Sequence, residues 1–312
     1  MIEKFFGYQR LPRHLIENEK FNSMTIAVQK PTINEFLNVI SPIWKRVLDL
    51  TGHSIPLLFE TKKRLDEKVF FEEYFVNGLS DGAALGSEMS SLRSLMKIHI
   101  RERKRRSYLN NILEISNLDI NKFNNLYEFG MPWIWNKASL LPNPELVDHI
   151  YFWILVRNFI ITRNDLNLIF LGDGCGYLSQ LALADIPPDN LDSVTFIDLY
   201  HFLARQYLLV SDHEKINKFT FLNGEKYDYP TSSKDKILIN QDSFPEINKQ
   251  EQDKYFTYIE ENNVKYFFSY NKNDHSDGHI NFRNDCKKIF GEPIILTESL
   301  MRPGYYFELW KK

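Results

Sequence analysis

The chain has 312 residues, 43% of them hydrophobic and 14% aromatic, and a formal net charge of -3. It is a folding chain with room for a sizeable core and two structural parts, and its charge argues against general attraction to nucleic acid or an anionic membrane. Two cysteines, Cys175 and Cys286, make neither a disulfide framework nor a metal knuckle and fit a reducing compartment.

The opening MIEKFFGYQRLPRH lacks the apolar stretch and small-residue cleavage site of a signal peptide. The apolar run IYFWILV (150–156) meets Arg157 at once, well short of the ~18 residues that a membrane span requires. A cytoplasmic protein without stable membrane insertion is expected.

Residues 1–160 read as helices. PTINEFLNVISPIWKRVLDL (31–50) places Phe36, Leu37, Ile40, Trp44, Val47 and Leu48 near helical spacing, with Pro42 as a kink or break. SEMSSLRSLMKIHIRERKRRSYLNNILEI (87–115) repeats the pattern. NPELVDHIYFWILVRNFI (143–160) opens with Asn143 as a plausible cap and Pro144 at the first helical position. It is apolar nearly all round, which predicts burial between the two parts.

From about residue 165 the pattern changes. LNLIFLG (166–172), SVTFIDL (193–199), NKFTFLN (217–223), DKILINQ (235–241), KYFFSYN (265–271), PIILTES (293–299) and GYYFELW (304–310) are short apolar runs, most of them separated by helical or loop segments. They predict an open, largely parallel α/β sheet over 161–312. The turn LMRPG is short enough to pair the last two strands antiparallel.

Gly172, Gly174 and Gly176 fall within five positions of a chain that has only 13 glycines. A strand, a glycine turn and a helix bring a ligand against bare backbone, because glycine adopts unusual dihedrals and carries no Cβ. The free N–H groups of the following helix would give a slightly positive rim. The plainer alternative is a tight turn with close helix–sheet packing. Asp198, at the end of the next expected strand, could accept hydrogen bonds from both hydroxyls of a ribose. Together these features read as adenosine recognition. A dinucleotide site wants G-x-G-x-x-G, yet the sixth position is Tyr177 counted from Gly172 and Ser179 counted from Gly174. No Walker lysine follows the glycines either.

Residues 165–312 resemble class I S-adenosylmethionine-dependent methyltransferases, and more narrowly the sugar O-methyltransferases of bacterial surface polysaccharide clusters. The resemblance rests on FLGDGCGYLSQLAL, FIDLYHFLARQYLL (196–209), ILINQDSFPEI (237–247), FFSYNKN (267–273) and EFGMPWIW (128–135). It implies a Rossmann-like seven-stranded methyltransferase sheet with an N-terminal helical domain. It further implies S-adenosylmethionine as cofactor and a sugar or glycan-precursor acceptor. The family usually carries an acid two positions before the first glycine, where this chain has Phe170. Asp173 is the candidate to meet the cofactor's ammonium group in its place.

The loop after each strand's carboxyl end is where the chemistry is expected. NKNDHSDGHINF (271–282) gathers Asp274, His275, Asp277 and His279. His275 or His279 could be a general base with a carboxylate fixing its tautomer. The same four residues could hold a divalent ion, or form a solvated polar loop. The loop DSFPEI (242–247) offers Glu246 or Asp242 to orient an acceptor hydroxyl, with Asp242 also a candidate beside the cofactor. Ser243 and Glu246 also carry the spacing of a helix capping box. His201 could touch the adenosine edge or lie on a helix surface. Glu128, Trp133 and Trp135 could line an acceptor pocket or belong to the core. RERKRR (101–106) could meet a nucleotide-sugar diphosphate, though such runs are commonly solvated. The helical half is expected to cap the acceptor site and is a candidate homodimer surface.

Overall fold

The computed structural model describes residues 144–174, 176–224, 234–244, 247, 249–272 and 282–312, and before them 23, 27, 28, 107, 108, 111–116 and 118. The expected helix at 31–50 and most of the one at 87–115 lie outside these residues, so the expected helical domain over 1–160 is described only in its last helix and a few positions.

All seven runs expected as strands are strands. In chain order they are β1 (Leu166–Leu171), β2 (Leu191–Asp198), β3 (Phe219–Asn223), β4 (Lys236–Gln241), β5 (Val264–Lys272), β6 (Ile295–Glu298) and β7 (Tyr305–Lys311). They form a single sheet in the order β3-β2-β1-β4-β5-β7-β6. The ladders among β1 to β5 are parallel. β7 lies between β5 and β6 and runs antiparallel to both. The short turn before β7 therefore does pair the last two strands antiparallel.

β1 is buried along its whole length, as an apolar run without alternation implies when helices cover both faces of a parallel sheet. Leu168 and Phe170 enter one core, and Ile169 and Leu171 the other. The first core is shared by α1 (Pro144–Ile160), α2 (Tyr177–Asp185) and α3 (Tyr200–Val210); the second is covered by α4 (Lys249–Glu261) and α5 (Phe282–Phe290). Phe170 pairs in register with Phe196, and Phe196 with Phe221. Their rings stack at 5.8 and 4.8 Å between centroids. An acid at position 170 would be buried inside this aromatic row.

α1 is wholly enclosed on its sheet side. Phe152 and Trp153 are fully buried, and Phe152 stacks on Tyr270 of β5 at 5.4 Å. Asp185, at the far end of α2, receives hydrogen bonds from the Trp153 indole N–H (3.2 Å) and from Arg157 Nε (2.5 Å). A carboxylate at a helix C-terminus opposes the helix dipole, and Arg157 offsets that charge. No helix among the described residues is long and apolar enough to cross a membrane.

The chain leaves β1 toward β2 and β3, then crosses back to place β4 on the other side of β1. That reversal opens a crevice outside the carboxyl ends of β1 and β4. The glycine turn follows β1 there, and Asp242 follows β4.

Candidate functional site

The three glycines serve different purposes. All have positive φ: +65° at Gly172, +56° at Gly174 and +81° at Gly176. A Cβ on Gly172 would lie 2.1 Å from Ser243 Oγ, and one on Gly176 would lie 3.2 Å from Gln206 Cγ. At Gly174 no atom of the described residues lies within 4 Å. Both readings of the turn therefore hold, at different positions. Gly172 and Gly176 admit neighbouring elements, while the missing Cβ of Gly174 meets none of the described residues.

The N–H groups of the turn are mostly spent within the chain, which corrects the expectation of a free helix rim. Gly172 N donates to Ile197 O (2.8 Å), and Gly176 N to Asp173 O (3.1 Å). Asp173 reaches forward to the N-terminus of α2, where its two carboxylate oxygens accept from Leu178 N (3.1 Å) and Ser179 N (3.0 Å). It caps the helix from outside, satisfying two donors that the helix itself leaves unpaired. Burial pushes its carboxyl up to about 6, against the hydrogen bonds from Ser179 and Leu178.

Asp198 closes the other side of the turn. Its Oδ2 accepts from Gly174 N (2.8 Å) and from Gln206 Nε2 (2.9 Å), and its Oδ1 accepts from Leu199 N (2.8 Å). Burial pushes this carboxyl up to about 7, against those three donors, with the Asp173 charge adding to the rise. A carboxylate offers about four acceptor positions. Three are filled, so one remains on Oδ1. Asp198 can take one further hydroxyl as it stands; accepting both hydroxyls of a ribose would require one internal bond to yield.

Across the crevice, Asp242 follows β4 at a φ of +63°, a left-handed conformation that aspartate tolerates better than most residues. Its amide donates to Tyr270 O (3.0 Å), continuing the β4–β5 ladder. Its side chain is held by Arg302 of the β6–β7 turn. The Arg302 guanidinium lies 3.8 Å from the centre of the Tyr305 ring and 3.9 Å from Asp148 of α1. Nothing in the turn LMRPG, read as sequence, marks Arg302 for this. Beneath Asp242 runs a buried polar row. Asn240 Nδ2 donates to Leu171 O (2.7 Å) and Ser243 Oγ (2.6 Å), and Asn271 Nδ2 donates to Asn240 Oδ1 (2.7 Å) and Ser269 Oγ (2.9 Å). Ser243 is thus turned toward the end of β1 and fills the space beside Gly172. It does not cap α4, contrary to the capping-box spacing. The loop is braced instead by Gln252, whose Nε2 donates to Phe244 O (3.0 Å) and Ile247 O (2.9 Å).

The structure thus brings Gly172, Asp173, Gly174, Gly176, Asp198 and Asp242 to one edge of the sheet. Glu246, His275, His279, Glu128, Trp133 and Trp135 lie outside the described residues, as do Asp274 and Asp277. Among the described residues no three His, Cys, Asp or Glu side chains group as a metal site.

No family model matches the chain, and no curated protein does. Among solved structures it is similar to a SAM dependent methyltransferase from Aquifex aeolicus at 15% identity, covering 62% of this chain and 98% of that one with a TM-score of 0.38. It is similar to an rRNA methylase from Streptococcus thermophilus at 11% identity, covering 51% and 94% with a TM-score of 0.37. It is also similar to the PH0226 protein of Pyrococcus horikoshii at 13% identity, covering 53% and 89% with a TM-score of 0.40. Likenesses this distant decide neither substrate nor mechanism.

Proposed function

We propose that the chain is an S-adenosylmethionine-dependent O-methyltransferase acting on a hydroxyl of a sugar or glycan precursor. The observation that carries the cofactor is the Asp173 carboxylate on the N-terminus of α2. In a dinucleotide fold that helix end receives the pyrophosphate. Here a carboxylate already holds it and would repel a phosphate. The placing of β7 antiparallel between β5 and β6 also departs from the all-parallel dinucleotide order. The remaining features suit an adenosine bearing no phosphate: bare backbone at Gly174, and an acceptor position on Asp198 for a ribose hydroxyl.

In this reading Gly172, Gly174 and Gly176 form the cofactor turn and Asp198 meets the ribose. Asp173 holds the turn onto α2 rather than meeting the ammonium group. Asp242 borders the methionine end. The cofactor supplies a methyl group that is already electrophilic, so the protein's main task is alignment, worth about 7–11 kcal/mol in favourable cases. A sugar hydroxyl is a weak nucleophile, and a base would add ~10²–10⁴-fold. His275 or His279 is assigned as that base, and Glu246 as a group that orients the acceptor. Glu128, Trp133 and Trp135 are assigned to the acceptor pocket. The sugar class rests on the sequence resemblance alone.

Calorimetric titration with S-adenosylhomocysteine, alongside NADH, tests the reading. Stoichiometric binding of S-adenosylhomocysteine and none of NADH is expected. Heat with NADH alone would establish an NAD-linked oxidoreductase instead. Silence with both would leave a methyltransferase-like scaffold, the alternative that Phe170 raises.

A further inference from the structure

Gln206 falls within the segment 196–209 but has no role assigned there, yet it joins the two halves of the glycine turn. It lies on α3, 1% exposed. Its Nε2 donates to Gly174 O (2.9 Å) and to Asp198 Oδ2 (2.9 Å). Both N–H bonds are thereby used, so the amide has no donor left for a ligand. The Gly174 N–H in turn donates to the same Asp198 oxygen. Gly174 is therefore held at both its N–H and its carbonyl, and it is the glycine of the turn whose missing Cβ meets none of the described residues. A second observation is independent of these bonds. A Cβ on Gly176 would meet Gln206 Cγ at 3.2 Å and Leu209 Cδ1 at 3.3 Å, so the third glycine makes room for this side chain.

We propose that Gln206 is a positioning residue of the cofactor site, aiming the open acceptor position of Asp198 and fixing the exposed backbone of Gly174 for the adenosine moiety. The proposal rests on the cofactor reading above. The chemistry selects the residue type. One atom must donate both to a neutral carbonyl and to a carboxylate, without bringing a charge of its own. Leucine fills the space without donating. Glutamate has the shape but sets a second carboxylate against Asp198. Among the described residues, the titratable group acting on the Asp198 carboxylate is Asp173 across the turn. The Tyr255 hydroxyl of α4 and the Asp198 carbonyl both border Gly224.

The test is the affinity of full-length wild type, Gln206→Leu and Gln206→Glu for S-adenosylhomocysteine from pH 6 to pH 9, with melting temperatures taken in parallel. Gln206→Leu is expected to bind about tenfold more weakly at pH 7, the size of one lost hydrogen bond to a charged group. Its deficit should shrink toward pH 9, because the lost donor favoured the ionised form of Asp198. Gln206→Glu keeps the packing against Gly176 and should lose more than the leucine variant at pH 8. A leucine deficit that is absent or constant across pH overturns the proposal. So does a glutamate variant that binds at least as well as the leucine one. A silent wild type would fail the cofactor reading itself and take this proposal with it.

Discussion

Two carboxylates flank the crevice, and they are held by opposite means. On the β1–β2 side Asp198 is buried and its partners are neutral N–H groups of Gly174, Leu199 and Gln206. On the β4–β7 side Asp242 is about one-third exposed and its partner is the Arg302 guanidinium. Among neutral dipoles the burial of Asp198 still pushes its carboxyl up to about 7, whereas Asp242 is held in place by an ion pair. The first arrangement suits a group that must exchange internal bonds for those of a ligand. The second suits a tether between the β4 loop and the turn before β7.

The largest effect is expected where the two sides meet. Gly172 ends β1, and the Ser243 side chain from the β4 loop occupies the place of its absent Cβ. Gly172→Ala should cost about 3 kcal/mol or more, from overpacking together with the positive φ. Ser243→Gly in the same chain should recover the steric part and leave about 1–2 kcal/mol from the left-handed backbone. Denaturant unfolding of the two variants would check both figures. A single variant as stable as wild type would mean that the two sides do not touch at Gly172.

The titration of Asp198 comes next in size. Asp173 and Asp198 have folded values pushed up to about 6 and about 7 by burial, above the ordinary carboxyl value near 4. The folded chain therefore holds more protons than the unfolded one between about pH 4 and pH 7. These two groups make the unliganded protein less stable as pH rises through that window, with no further change above it. In the proposed reading affinity runs the other way, since a ribose hydroxyl would donate to the ionised form of Asp198. Affinity for S-adenosylhomocysteine should rise about tenfold from pH 6 to pH 8 and then level off. Asp198→Ala should remove the slope and weaken binding about 10- to 100-fold at pH 8. Melting curves and calorimetry over this range measure the two trends separately. A flat affinity profile would remove Asp198 from the ribose.

The strands were readable because burial on both faces writes long apolar runs, and the short turn before β7 fixed the one change of direction. The glycine spacing was readable as a ligand turn, and the neighbours of Gly172 and Gly176 explain why packing was an equally fair reading. What the sequence hid were pairings across distance. Gln206 finds Gly174 32 residues earlier, and Arg302 finds Asp242 60 residues earlier. A lone glutamine on a helix or an arginine in a turn has no periodicity that would single it out. The helix-capping role of Asp173 was hidden for a related reason. An acid inside a glycine turn looks aimed at a ligand, whereas the fold turns both of its oxygens onto the N-terminus of α2.

The smallest expected effect tests the tether. Arg302→Gln removes the charge that holds Asp242 and shortens the polar side chain over Tyr305. The pair is about one-third exposed on each side, so solvent screens it and the loss of stability should be about 1 kcal/mol or less. Asp242 keeps its place in the backbone, because its amide still donates to Tyr270 O. Among the described residues Arg302 has no partner in the glycine turn or on Asp198, and Asp242 at the methionine end keeps its backbone position. Affinity for S-adenosylhomocysteine should therefore stay within about twofold of wild type, well below the tenfold of one lost charged hydrogen bond. A larger fall would show that the guanidinium also fixes the cofactor's environment, and that the two sides of the crevice act as one unit rather than as a titrating half and a tethered half.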